Sequence, residues 1–128
     1  GMVLDASVAG DEVEQGARPR PFMVYRNLDL LDAWPIQSVI KVDDTVSGIG
    51  EGLNAGCWSV GVSRYSNYMN INSHREADEM PAAEMDRRHQ ETRDILQHAG
   101  AHYIIDSLVD VGPVVEDINQ RLARGERP

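Results

Sequence analysis

Two adjacent carboxylates, Asp43 and Asp44, follow a short β-branched run at residues 39–42. Such a run is typical of a strand buried on both faces of a parallel sheet. Ligands of open α/β sheets bind at the carboxyl ends of strands, where helix N-termini also point. An acidic pair at this place is suited to holding a hard divalent cation beside a phosphate. The same residues also suit a turn and a helix cap, so both interpretations stay open.

The stretch after the acidic pair predicts a helix and a second strand. Thr45 or Ser47 can cap the helix, and Gly56 is a helix-stop glycine. Residues 58–62 (WSVGV) then predict a buried strand. Strand, helix and strand in this order indicate an α/β fold with a parallel sheet flanked by helices, a partial Rossmann-like arrangement.

The remaining elements are predicted more simply. Residues 2–13 resemble a short strand, and Pro21 begins a helix that Pro35 ends, with an apolar face of Phe22, Tyr25, Leu28 and Leu31. Residues 63–80 are polar and predict an irregular loop. Further predictions are a charged helix from Pro81 to Gly100, a strand at 101–105 and a final helix after Gly112-Pro113.

Composition limits the functional classes. The 128 residues suit a single domain, and the net charge of −9 argues against broad nucleic-acid binding or a membrane-surface role. The single cysteine, Cys57, leaves no disulfide framework and favours a reducing cytoplasm. No run is long enough to span a membrane, and we expect no signal peptide. The four histidines have no convincing metal-ligand spacing.

Two basic residues stand out. Lys41 is the only lysine beside eleven arginines, and it lies inside the predicted first strand. The planar guanidinium of Arg18 matches phosphate geometry, but exposed arginines are common, so the residues alone favour a solvated Arg18.

Several segments together resemble the phosphonoacetaldehyde hydrolases (phosphonatases) of the haloacid dehalogenase superfamily. They are VAGDEV (8–13), RPRPFMVYRN (18–27), IKVDDTVSGIGEGLNAGCWSVGV (40–62) and AGAHYIIDSL (99–108). The resemblance implies that residues 1–128 form the C-terminal part of a haloacid dehalogenase-like core, without the cap and nucleophile segments.

The resemblance also implies a chemistry. Family members cleave the carbon–phosphorus bond of phosphonoacetaldehyde to acetaldehyde and phosphate, using a Schiff-base lysine and an aspartate nucleophile beside Mg²⁺. It makes Asp44 a metal ligand and Arg18 and Thr45 phosphate-binding residues. Lys41 and Asp43 are expected to be supporting residues of the site. The expected ligands are Mg²⁺, bound weakly, and a phosphonate or phosphate-like small molecule.

Three departures from the family pattern are visible. The family usually has Gly-Asp where this chain has Asp43-Asp44, so Asp43 is an extra charge. The acidic residue expected four positions after the metal ligand is Gly48, which should loosen the metal site. No nucleophile motif and no second lysine for an imine are present.

These departures leave more than one function open. The chain is expected to be inactive by itself, as a piece of a phosphonatase-like hydrolase that needs a complementing N-terminal half. The alternative is a non-catalytic remnant that binds anions or serves as an oligomeric interaction module. The resemblance implies that two central strands of the family's sheet are not part of this chain, which leaves an uncovered edge at residues 39–42. We therefore expect a homodimer paired through that edge, with pairing of residues 2–13 to the same edge as the alternative.

Overall fold

The computed structural model describes residues 5–8, 12–14, 16–64 and 66–128. Three strands and five helices lie within these ranges. In chain order they are α1 (Phe22–Leu31), β1 (Ile40–Asp43), α2 (Val46–Ala55), β2 (Trp58–Val62), α3 (His74–Glu79), α4 (Ala82–His98), β3 (Tyr103–Ile105) and α5 (Val111–Ala123).

The three strands form one parallel sheet in the order β1-β2-β3. Val42 of β1 lies opposite Val60 of β2, and Val60 in turn lies opposite Tyr103 of β3. The predicted α/β class with a parallel sheet is therefore confirmed. The predicted third strand is shorter than expected, since only residues 103–105 of 101–105 pair.

Alternation along the strands assigns each side chain to one face of the sheet. On one face, Trp58 and Val60 pack with Val114 and Ile118 of α5, and Ile40 and Val42 adjoin that core. On the opposite face a smaller core joins Val24, Ala55 and Cys57. Lys41 and Asp43 also point to this second face, because they alternate with Ile40 and Val42.

Small residues let α2 lie close to the sheet. A Cβ on Gly52 would stand 2.2 Å from the Ser59 Oγ. That hydroxyl donates to the Ile49 carbonyl oxygen at 3.1 Å, which ties the helix to β2. Any side chain at position 52 would push α2 away from the strand that it covers.

Both ends of α2 agree with the sequence prediction. Thr45 is the N-cap, and its side chain accepts from the Gly48 N–H. Gly56 ends the helix in the left-handed region with φ 88. This conformation favours glycine, because a Cβ there is strained. Cys57 follows as a buried free thiol, and burial raises its pKa above the ordinary value of 9.0.

The prediction for α1 was wrong at its end and for part of its buried face, although the predicted Leu28 does pack against the core. The helix ends at Leu31, before Pro35, because Asp32 turns left-handed with φ 52 and its N–H bonds back to α1 carbonyl oxygens. Val24 is its buried residue, whereas Tyr25 and Leu31 are 43% and 44% exposed. The helix packs against Ala55 of α2 and Cys57 through Val24, so its buried face is rotated from the predicted one.

The predicted loop at 63–80 contains regular structure. A 3-10 turn spans Asn67–Met69, and α3 begins where the Ser73 side chain accepts from the Glu76 N–H. Ser73 and Glu76 form the Ser-x-x-Glu spacing of a helix start, a signal that the sequence prediction missed. The last helix also begins earlier than predicted, at Val111, before Gly112-Pro113.

The outer edge of β1 has no strand beside it among the described residues. All four β1 residues are only half-buried, while most of β2 is fully buried. The predicted strand at 2–13 falls partly outside the described residues, and its described positions 5–8 and 12–13 form no strand. None of the described helices has the length and apolar character needed to cross a membrane.

His102, just before β3, generates a prediction about pH. Its Nδ1 accepts from the Ser59 N–H at 2.9 Å, and its ring meets Trp58 edge-on at 5.2 Å. Burial, aided by the nearby Arg121, lowers the pKa of His102 below its ordinary value of 6.5. Protonation therefore favours the unfolded chain, and the free energy of unfolding should fall as the pH drops below about 6.5.

Urea unfolding between pH 8 and pH 5 checks this. The His102→Gln variant should show a shallower loss of stability towards acid than the unmodified chain. His98→Gln, at an exposed position of α4, is the control and should keep the original slope. Equal slopes for the chain and for His102→Gln would contradict the prediction.

Candidate functional site

The site lies where β1 ends and α2 begins. Asp43 is the last residue of β1, Asp44 follows it, and Thr45 caps α2. This places the acidic pair at the carboxyl edge of a parallel sheet and beside a helix N-terminus, as the sequence predicts. Asp43 and Asp44 line a shallow depression of about 500 Å³, together with Val42, Val62, Ser107, Leu108 and Val109.

Asp43 is fully engaged in hydrogen bonds and ion pairs. Its Oδ2 lies 2.7 Å from Lys41 Nζ and 3.3 Å from Arg18 Nη2. Its Oδ1 accepts from the Thr45 backbone N–H at 2.9 Å and from the Thr45 hydroxyl at 2.7 Å. The side chain is only 8% exposed, so these partners replace its lost hydration.

The ionisation of Asp43 follows from these contacts. Burial alone would raise the pKa of Asp43, but hydrogen bonds from Lys41 and Thr45 outweigh burial, so the pKa lies below the ordinary value of 3.8. The carboxylate therefore contributes stability above that pH. The contribution is lost as the pH falls below 3.8 through the folded-state pKa.

Glu51 of α2 is a member of the site that the sequence interpretation missed. It is 1% exposed, and its Oε1 lies 3.2 Å from Lys41 Nζ and 3.4 Å from Arg18 Nε. Its Oε2 is buried and has no hydrogen-bond partner in the described part of the chain. The sequence does contain a signal for this residue. Glu51 is the only charged residue of α2, and it stands between two glycines.

These four side chains form what we call the charge cluster: Arg18, Lys41, Asp43 and Glu51. It contains two cations and two carboxylates, and Lys41 also donates to the Gly48 carbonyl oxygen at 3.2 Å. Arg18 is thus held by the cluster, although its side chain stays 40% exposed. The expectation of a purely solvated Arg18 was wrong, because α2 and β1 present two carboxylates to it.

A neighbouring bond fixes the segment that carries Arg18. The Asn54 side-chain amide donates to the Pro19 carbonyl oxygen at 2.7 Å. The segment is therefore held on α2 by this bond and by the Arg18–Glu51 ion pair, and on the end of β1 by the Arg18–Asp43 ion pair.

Asp44 differs from Asp43 in every contact. Its carboxylate forms no hydrogen bond or ion pair with the described residues, and only its backbone oxygen is used, accepting from the Ser66 hydroxyl at 2.7 Å. Tyr68, in the same connection after β2, accepts from the Val46 N–H at 3.0 Å. The connection thus holds the start of α2 and leaves the Asp44 carboxylate unpaired.

The acidic pair provides one position for a metal ligand. The Asp43 oxygens are taken by protein donors, so Asp44 is the carboxylate that fits a cation there. The described residues contain no group of three His, Cys, Asp or Glu side chains placed to hold a metal ion. Mg²⁺ is often held by one or two carboxylates with water and substrate phosphate, so Asp44 fits one ligand of such a shell but not a complete site.

A second polar group lies at the same edge of the sheet. Ser63 Oγ is 2.7 Å from His89 Nε2, and the same ring nitrogen is 3.1 Å from Asp106 Oδ1. Ser63 is fully buried, and both partners meet one nitrogen, so no Ser-His-Asp relay is formed. This group joins the ends of β2 and β3 to α4.

Comparison with known proteins agrees with the geometry. No protein-family model matches the chain. A phosphonoacetaldehyde hydrolase of Aeromonas hydrophila is 46% identical over 124 residues, which are 97% of this chain and 44% of that protein. One from Paraburkholderia xenovorans is 44% identical over 128 residues, covering 100% of this chain and 47% of the relative.

A solved structure agrees as well. The crystal structure of a phosphonoacetaldehyde hydrolase-like protein from Oleispira antarctica superposes with a TM-score of 0.93 at 39% identity, covering 100% of this chain and 46% of that one. The predicted resemblance and the haloacid dehalogenase-like fold are confirmed. The chain spans slightly less than half the length of these relatives.

The single unpaired carboxylate predicts weak metal binding. Mg²⁺ should bind the 128-residue chain with a Kd on the order of 1 mM or weaker, because one carboxylate and water compete poorly with full hydration. Isothermal titration with MgCl₂ checks this. Asp44→Asn should remove the remaining heat, whereas Asp86→Asn, at an exposed position of α4, should not change it. Submicromolar affinity would contradict the prediction and mean that a second carboxylate reaches the ion.

Proposed function

We propose that this chain provides one side of the active site of a phosphonoacetaldehyde hydrolase, with Asp44 as a ligand to Mg²⁺ and Arg18 directed at the phosphoryl group. The observation that carries the proposal is the unpaired Asp44 carboxylate at the carboxyl edge of β1, next to an Asp43 that is fully paired. Since no described residue pairs with this carboxylate at a ligand-binding edge, it is available to a cation. When bound, Mg²⁺ would neutralise charge on the phosphoryl oxygens.

Arg18 suits the recognition of phosphate or phosphonate. Its Nε and Nη2 face the carboxylates of Glu51 and Asp43, which fixes the plane of the guanidinium. The side chain is partly exposed, so an anion can approach its remaining donors. Thr45 would assist less directly, because its hydroxyl donates to Asp43 and accepts from the Gly48 N–H.

Lys41 supports the site and is not suited to imine formation. Its ammonium makes three contacts, to Asp43, Glu51 and the Gly48 carbonyl oxygen, which use its three donors. Since the sequence has no second lysine and no nucleophile motif, the proposal places the imine-forming lysine and the nucleophilic aspartate outside these 128 residues.

The open edge of β1 is where those residues would join. Ile40 and Val42 are half-buried, and the adjoining depression is rimmed by Leu108 and Val109, which are 60% and 87% exposed. Apolar side chains that flank an unpaired strand edge favour the addition of another strand. A strand carrying the nucleophile and paired to β1 would end beside Asp44. A cytoplasmic setting is part of this proposal.

Phosphonoacetaldehyde turnover tests the proposal. The chain alone should release no phosphate, because loss of a covalent nucleophile lowers rates by several orders of magnitude. Co-expression with the cap and nucleophile segment of a relative such as the Paraburkholderia xenovorans enzyme should restore hydrolysis. Asp44→Asn should then lower kcat about 100-fold or more, while Asp86→Asn should leave it unchanged. A co-purified complex without activity would sink the proposal, as would full activity with Asp44→Asn.

The alternative is a non-catalytic module that assembles through the same edge. Two-fold pairing of two β1 edges would satisfy the exposed backbone groups. Repulsion from the net charge of −9 is screened beyond about 8 Å at physiological salt. Burial of a few hundred Å² of apolar surface would outweigh it, at roughly 25 cal/mol per Å².

Sedimentation equilibrium of the chain alone tests this assembly. A homodimer is expected at tens of micromolar protein. In a hydrogen-exchange experiment, the backbone amides of Ile40–Asp43 should exchange more slowly with solvent as the protein concentration rises. A monomer at that concentration would rule the dimer out. A dimer without added protection in β1 would place the interface elsewhere.

A further inference from the structure

The Asp43 carboxylate fills the space in which a side chain on residue 48 would begin. A Cβ built on Gly48 would lie 1.9 Å from Asp43 Cγ and 2.1 Å from each of its oxygens. Non-bonded carbons do not approach so closely, because the repulsion is prohibitive. A side chain at position 48 and the present Asp43 are therefore mutually exclusive.

The backbone does not require glycine at this position. Gly48 lies in α2, and its φ is not in the left-handed region that excludes other residues. The three atoms nearest to such a side chain all belong to the Asp43 carboxyl group. If residue 43 were glycine, an aspartate at 48 would project into the same volume, within reach of Lys41 and Arg18.

One carboxylate at this point is required by the cations around it. Lys41 lies 2.7 Å and Arg18 3.3 Å from Asp43 Oδ2. Without that carboxylate, both cations would share one oxygen of Glu51, since the other Glu51 oxygen has no partner in the described residues. Removal of one charge from a buried set destabilises because its partners remain desolvated.

We propose that positions 43 and 48 are interchangeable sources of a single carboxylate. In this chain Asp43 supplies that carboxylate and positions Arg18 by its ion pair with the guanidinium. Two departures noted in the sequence, the extra charge of Asp43 and the glycine at 48, are then one exchange. The relevance to phosphonate binding rests on the proposed function, but the exchange itself is a property of the charge cluster and can be measured without activity.

A double-mutant cycle on the 128-residue chain tests the exchange. Asp43→Gly should lower the melting temperature by about 5 °C or more, through the unpaired cations. Gly48→Asp alone should lower it at least as much, through the clash with Asp43. The double variant Asp43→Gly/Gly48→Asp should recover most of the loss. Two single losses that simply add in the double variant would overturn the proposal.

Matched variants separate charge from packing. Asp43→Gly/Gly48→Asn restores the volume without the charge and should recover much less stability than the aspartate version. The acid-dependent loss of stability below about pH 4 should persist in Asp43→Gly/Gly48→Asp and shrink in the asparagine version. Equal recovery of the melting temperature by asparagine and aspartate at position 48 would show that only the side-chain volume matters, and would contradict the proposed need for a carboxylate.

Arg18 gives a direct readout of position. In NMR spectra the Nη2–H₂ group of Arg18, which faces Asp43 Oδ2, should exchange slowly with water in the unmodified chain and in Asp43→Gly/Gly48→Asp, and about tenfold faster in Asp43→Gly. Arg26, whose ion pair is exposed, should exchange fast in all of them. An Arg18 signal unaffected by Asp43→Gly would refute the positioning role. The proposed function would still be judged separately, by turnover of the complemented enzyme.

Discussion

Four charges held between one strand and one helix organise the functional end of this molecule. The side chains of Lys41 and Asp43 point from β1 to the face that α2 covers. Glu51 of α2 forms an ion pair with Lys41 there. Arg18 arrives from a distant loop and touches both carboxylates. Because Lys41, Asp43 and Glu51 are shielded from water, they need oppositely charged partners, and this requirement sets the spacing between loop, strand and helix.

The charge cluster also separates the two neighbouring aspartates. Asp43 pairs with Lys41 and Arg18 inside the protein, whereas the Asp44 carboxylate has no partner among the described residues at the edge of the sheet. A step of one residue is enough, because Asp43 is the last residue of β1 and Asp44 lies in the bend between β1 and α2. The buried aspartate holds the structure around the site, and the unpaired one is available for a ligand.

The uncovered edge of β1 is the side of the sheet to which another strand can be added. β2 lies between two strands and is almost wholly buried. In the part of the chain that the structure describes, β1 has one strand neighbour and is half-buried along its length. The depression beside Asp44 continues this apolar surface towards Leu108 and Val109. Site and open edge are therefore parts of one surface, so a strand added to β1 would also wall the site.

The sequence by itself determined the local elements around the site. The β-branched run predicted β1, Thr45 and Gly56 predicted the ends of α2, and the carboxylates predicted a ligand-binding edge, because caps, turns and strand composition are local properties. The tertiary structure alone decided the assignments within the cluster. Arg18 is far from Asp43 in the sequence, and Glu51 belongs to no motif that would have marked it as a site residue. The exclusion of a side chain at position 48 by Asp43 depends on how closely α2 lies on β1. Such contacts depend on packing distances between elements, which a linear pattern of residue types does not encode.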